Sequence, residues 1–299
     1  MQEPSSAPHS ASAREYLLLH IVVLIFGFTG VLGRLISIDS APLVWYRMGI
    51  AVVVIALYLA WRRVSLRMPR RALLWTLATG LIVAAHWTFF FESIKQSTVS
   101  VGLVCLSTGT FFTSLIEPIL FRRGVRAYEI LLGLATVVGI LFVFQFETGY
   151  QIGIAYGLLS AFLGAFFTVV NGKLVAAHDS RTLSFYELLS GVAGLSVYLI
   201  VMRQANAEHL WLVVSDFAYL LILAIVCTAF AFIGSIEVMR TLSPFTVVLT
   251  INLEPIYGII LALLVFGEAE FMTPGFYAGA AVILLSIWAN AIIKRHTGD

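Results

Sequence analysis

Ten apolar runs of about 20 residues or slightly more succeed one another along the chain: 15–36, 41–61, 72–95, 97–121, 127–146, 151–175, 182–202, 216–239, 243–266 and 274–293. At ~1.5 Å of rise per residue, a helix of that length covers a hydrocarbon core of ~30 Å with modest tilt. Membrane strands would need ~10-residue segments of alternating polarity, and these runs are too long and too evenly apolar for that. The pattern predicts an all-α integral membrane protein with ten transmembrane helices.

Composition makes the bilayer the solvent. Apolar residues fill 60% of the 299 positions and charged residues 11%, too few to wet a soluble surface of this size. With both termini cytoplasmic, the inner segments hold Arg14, Arg62, Arg63, Arg67, Arg70, Arg71, Arg122, Arg123, Arg126, Lys173, Arg181, Arg240, Lys294 and Arg295. Of the 18 Lys and Arg residues that leaves Arg34, Lys95 and Arg203 outside and Arg47 within a span, as the positive-inside rule requires. The expected setting is a cell's inner membrane. Residues 1–14, with their Ser, Ala, Pro and His, read as a disordered cytoplasmic tail, and the run after them is too long for a cleaved signal peptide. The net charge of +2 needs no nucleic-acid partner, because anionic lipid satisfies the inner loops. Cys105 and Cys227 fall inside spans as small apolar residues, so no disulfide, metal or cofactor framework is expected.

The second five helices repeat the first five. Gly33-Arg34-Leu35-Ile36 ends helix 1 and Gly172-Lys173-Leu174-Val175 ends helix 6, 139 residues later. Trp45-Tyr46-Arg47 opens helix 2 and Phe185-Tyr186-Glu187 opens helix 7, an offset of 140. Glu92-Ser93-Ile94-Lys95 and Glu237-Val238-Met239-Arg240 end helices 3 and 8, an offset of 145 that absorbs the longer 203–215 connection. Glu117-Pro118 and Glu254-Pro255 are not equivalent, since their offset is 137; at the proper register Pro255 falls opposite Thr110. Five spans per half is an odd number, so the second half enters the membrane from the other side. Such a 5+5 inverted-topology repeat usually binds its ligand near the midplane where the halves meet.

Ser243-Pro244 opening helix 9, Leu253-Glu254-Pro255-Ile256 within it, Phe266-Gly267-Glu268 closing it and a Gly-rich last helix resemble the EamA-like branch of the drug/metabolite transporter superfamily. The resemblance covers essentially the whole chain, with residues 15–148 and 149–295 as its two repeats. It implies a proton-linked or facilitative carrier of small organic metabolites, often an amino-acid exporter. It further implies a cavity formed by helices 1–4 and 6–9, with helices 5 and 10 outside. The chain departs from the usual pattern in lacking a proline at Thr110, which leaves the bend of helix 4 open.

Charges at membrane depth cost roughly 2.5–3.5 kcal/mol even on the mildest scale, so each must face protein, water or a partner. Glu254 lies about 17 Å into helix 9 and His86 about 21 Å into helix 3, at nearly the same depth. Glu254 suits a proton carrier, an attractor of amines or a packing carboxyl. His86 suits a coupling partner for Glu254 or a neutral ring bonded to a neighbouring helix. Arg47 suits a clamp for a substrate carboxylate or a structural pair with Glu92, and Glu187 suits a pair with Lys173 or Arg240; a pair on each side would make alternating gates. Trp45, Tyr46, Trp87, Phe90, Phe111, Phe112, Tyr186, Phe230 and Tyr257 are candidate aromatic walls, Trp87 first among them, while Asn171 and Asn252 serve as ligands or helix glue. Gly153-x-x-x-Gly157 and Gly275-x-x-x-Gly279 favour close packing, and the latter is also a candidate face for a weak homodimer; otherwise a monomer is expected.

No His-Glu-x-x-His, Gly-x-Ser-x-Gly or Cys/His cluster supports an intramembrane enzyme, and the short loops offer no sensing domain. The expected function is secondary transport of a small organic molecule by alternating access, amino-acid export first, with proton coupling through Glu254 and His86 and gating through Glu92 and Glu187. Import of a vitamin, nucleobase or other amphiphile is the alternative.

Overall fold

The computed structural model describes residues 13–122, 124 and 127–297 and, among them, contains helices and no strand. The expected tail lies outside the described residues except for its last two, and Arg123 and Arg126 lie outside as well. Ten helical rods fall on the ten runs: α1 (Ala13–Leu35), α2 (Ser40–Trp61), α3 (Arg70–Lys95), α4 (Val99–Phe121), α5 (Ala127–Phe146), α6 (Gln151–Val175), α7 (Ser180–Val201), α8 (Val214–Arg240), α9 (Pro244–Glu270) and α10 (Pro274–Thr297). Eight are long and apolar enough to cross a membrane, and α5 and α10 contribute the shorter apolar stretches Leu131–Val143 and Pro274–Ser286.

Local chemistry sets the helix ends. Thr98, Asp179 and Ser243 accept backbone N–H bonds at the starts of α4, α7 and α9, and Pro244 occupies the first turn of α9, where its missing N–H costs nothing. Beyond the ends of α2 and α7, Arg63 (φ 52°) and Arg203 (φ 59°) adopt the left-handed conformation that stops a helix. These two arginines stand 140 residues apart.

Two faces are identified by their contacts. On one, Tyr186 and Thr182 at the start of α7 donate to the carbonyls of Leu66 and Ser65 in the α2–α3 connection. On that same face Lys173 donates to the carbonyl of Leu120, and Arg240 to that of His178. This is the basic face, where Arg62, Arg63 and Arg67 are exposed. On the far face Ser37 donates to Asp216 at the start of α8 (2.6 Å), and Lys95 to the carbonyl of Ile36 (3.0 Å). Glu270, fully buried there, accepts from Arg34 (2.8 Å), from the Val99 and Ser100 amides and from the Ser100 hydroxyl, tying α1, α4 and the end of α9 together.

α4, α8 and α9 are interrupted. α9 breaks at Asn252–Leu253, just before Pro255, whose missing N–H frees the carbonyl of Ile251. α4 breaks at Thr108 without a proline: Ser107 and Thr108 turn their hydroxyls back on the carbonyls of Val104 and Cys105 and compete with the helical ladder. The Asn252 amide donates to the Thr110 hydroxyl, so the two breaks are joined. α8 carries a π segment, Ile225–Phe230.

α5 and α10 pair at the periphery, where a Cβ on Gly139 or Gly279 would come within 2.8 Å of the other's backbone carbonyl. The Gly275/Gly279 face is thus covered by α5 of the same chain, which corrects its reading as a dimer face. Gly153 and Gly157 serve close packing as expected: Gly153 lies on Ser97, and Gly157 on Cys105.

Candidate functional site

A cavity of about 100 Å³ occupies the centre of the bundle, several times the ~10–15 Å³ that admits one water. Its walls come from α1, α2, α3, α4, α6, α8 and α9; α5 and α10 lie outside, and α7, expected as a wall, contributes no lining residue. Six pairs of lining positions stand at the offsets of the sequence repeat. Phe26 and Ala165, and Thr29 and Thr168, are 139 apart; Trp87 and Phe232, Phe90 and Ser235, Leu106 and Ile251, and Gly109 and Glu254 are 145 apart. Trp87 and Phe232 meet edge to face, with ring centroids 5.4 Å apart.

The cavity is not even-ended. On the basic side Ile236, Met239, Val247 and Val248 line it. The matching positions toward the far face, Phe91, Ile94, Gly102 and Leu103, do not line it: Phe91 fills the space over Gly33, and Ile94 that over Gly102. The cavity therefore runs toward the α8–α9 end and stops beneath the Glu270 network.

Arg47 is its cation. The guanidinium is 1% exposed, and Nε donates to the Thr228 hydroxyl (2.5 Å) and Nη2 to the Cys227 carbonyl (3.3 Å), both within the π segment of α8. Trp87 covers it at 3.9 Å from ring centroid to Cζ, with Phe91 at 5.6 Å. Nη1 has no partner. The expected Arg47–Glu92 pair does not form: Glu92 accepts from Gln96 (2.9 Å), one turn away on its own helix. Depth alone placed the two together, whereas α2 turns Arg47 toward α8. Glu254 lines the same cavity from α9 and makes no direct ion pair with Arg47.

His86 also lines the cavity, but its Nδ1 bonds the Ser160 carbonyl (2.7 Å) and hydroxyl (3.0 Å) on α6 and makes no bond to Glu254. The ring is thus bonded to a neighbouring helix, one of its two expected roles. The expected Glu187 pairs are also absent. Lys173 is held by Leu120 and Arg240 by Glu237 (3.0 Å), while Glu187, fully buried, accepts from Asn171 (3.2 Å).

Of the candidates, Arg47, His86, Trp87, Phe90 and Glu254 come together; the others do not line the cavity. Tyr46 donates to the Leu210 carbonyl, Tyr186 to Leu66, and Asn252 to Thr110. Phe111 packs over Gly133, and Tyr257 over Gly27. Sequence reasoning missed Thr29 and Thr168, although their spacing of 139 within the repeat was a usable signal. It also missed Phe167, Ser235 and Met239. Among the described residues no group of three or more His, Cys, Asp or Glu could hold a metal ion.

A helical, multi-span membrane protein with a central cavity of mixed charge and aromatic walls has the build of a transporter. The chain belongs to the EamA-like transporter family, which matches it at residues 13–145 and again at 151–292. It is similar to an uncharacterized transporter of Archaeoglobus fulgidus, 24% identical over 88% of this chain and 93% of the relative. It is also similar to the uncharacterized transporter YxxF of Bacillus subtilis, 21% identical over 100% and 95%. A solved crystal structure, 15% identical, superposes with a TM-score of 0.70 over 95% of this chain and 99% of its own, a likeness of fold.

Proposed function

We propose that the chain is a secondary transporter of zwitterionic amino acids, exporting them across the inner membrane by alternating access between two inverted halves. The single observation that carries the substrate class is the buried, unpartnered Nη1 of Arg47, a residue that lines the cavity together with Glu254 and the Trp87–Phe232 pair. A substrate carboxylate completes the guanidinium, its amine meets Glu254, and its apolar body lies against the rings. The inverted arrangement is supported by matched contacts: Arg34 lies 5.0 Å over Phe266 and Lys173 5.1 Å over Phe121, at offsets of 139 and 145. In this reading both termini lie on the cytoplasmic, basic face, toward which the cavity reaches. Coupling to protons belongs to this reading, since a carboxyl within the bilayer is able to carry one.

The test is counterflow in liposomes containing the purified protein. Preloaded leucine is expected to accelerate entry of labelled leucine, while leucine methyl ester and N-acetyl-leucine, each lacking one charge, are expected to fail. Equal counterflow by all three would refute the zwitterion clamp. Counterflow by a nucleobase or vitamin instead would favour an amphiphile importer.

A further inference from the structure

Outside the cavity, α6 and α7 bury a second polar site. Glu187 and Asn171 are both 0% exposed. Asn171 Nδ2 donates to Glu187 Oε2 at 3.2 Å, and the two atoms left without a partner are Glu187 Oε1 and Asn171 Oδ1. These are the two atoms that a carboxylic acid and an amide join when they pair face to face. One proton on Oε1, donated to Oδ1, closes a two-bond ring with the existing N–H···O contact and satisfies both at once. An anion there would instead leave a buried oxygen and an uncompensated charge.

The neighbours offer no counter-charge. From α2 comes Met48, against Gly191, and Arg47 is engaged with Thr228 and Cys227. From α3 comes Gly80, packed on the Glu187 carbonyl, and Arg70 and Arg71 are exposed at that helix's start. On α6 Lys173 is bound to Leu120. On α8 Glu237 is taken by Ser180 and Arg240. On α7 itself Arg181 is taken by Asp179.

We propose that Glu187 and Asn171 form a proton-binding site, separate from the cavity, which holds one proton in this conformation and gives it to water as H⁺ when the halves rearrange. The site deepens the transporter reading and rests on it for its purpose. Glu254 has Arg47 and the substrate amine for company, which leaves the coupling proton to Glu187.

Infrared spectroscopy of the full chain at neutral pH tests occupancy without any substrate. The carbonyl band of a protonated carboxyl, present in wild type and in Glu254→Gln, is expected to lose intensity in Glu187→Gln. Identical spectra for wild type and Glu187→Gln would overturn the site. The Gln side chain reproduces both bonds of the acid–amide ring, so the variant is expected to fold. In liposomes, leucine counterflow without a pH gradient is expected to match wild type, and the severalfold stimulation by an imposed gradient to vanish. Full gradient stimulation in Glu187→Gln would overturn the coupling role. Absence of leucine counterflow in wild type refutes the transport reading instead, and the infrared result still decides the proton site.

Discussion

Arg47 and Glu187 occupy equivalent places on α2 and α7, 140 residues apart, and their surroundings differ in kind. Both are buried charges-in-waiting at 1% and 0% exposure. Arg47 lines the cavity and is held from the opposite half, by the π segment of α8, beneath an indole, with one nitrogen left without a partner. Glu187 is held from its own half, by Asn171, and does not line the central cavity. Two copies of one architecture thus support different chemistry, because a backbone repeat fixes positions while side-chain identity and the neighbouring helix fix what each position does. In the reading proposed above, one copy grips the cargo and the other carries the proton.

The comparison is broken most severely by Arg47→Ala. Removing the guanidinium leaves the substrate carboxylate without a partner; losing such a buried charge contact costs roughly 2–5 kcal/mol. Leucine affinity, read by ligand-dependent thermal shift, is expected to fall at least 30-fold, and an unchanged affinity would remove Arg47 from the site. Next comes Gly80→Ala, whose Cβ would sit 2.1 Å from the Glu187 backbone carbonyl. Because α3 and α7 would have to move apart, thermal unfolding in detergent is expected to register a loss of about 1–3 kcal/mol. Smaller again is Thr228→Val, which deletes the acceptor for Arg47 Nε at nearly constant volume. An expected loss of roughly 0.5–1.5 kcal/mol in leucine binding follows from the lost hydrogen bond, with the gradient response of Glu187 untouched.

The ten rods were legible because helix length against bilayer thickness is a strong constraint, and the repeat was legible because charged residues at helix ends, such as Arg34 and Lys173, stand out in an apolar background. Four of the proposed site residues were legible for the same reason: Arg47, His86, Trp87 and Glu254 are conspicuous at depth. Partners were not. Depth along a helix says nothing of azimuth, so Arg47 was matched with Glu92 at its level rather than with Thr228 across the bundle. Phe111 and Tyr186 are aromatic residues on plausible walls whose faces turn elsewhere. In the π segment of α8 the Thr228 hydroxyl donates to the Leu223 carbonyl, and at the break in α4 Ser107 and Thr108 bond back likewise; such hydroxyls leave no distinctive mark in an apolar run.

The proposed inverted relation of the halves underlies the whole comparison, and sided thiol labelling tests it most directly. Cys105 and Cys227 are buried, so single cysteines placed at positions 67 and 203 can be read with a membrane-impermeant reagent in right-side-out and inverted vesicles. Position 67 is expected to react only in inverted vesicles and position 203 only in right-side-out ones. Labelling of both from the same side would contradict the account.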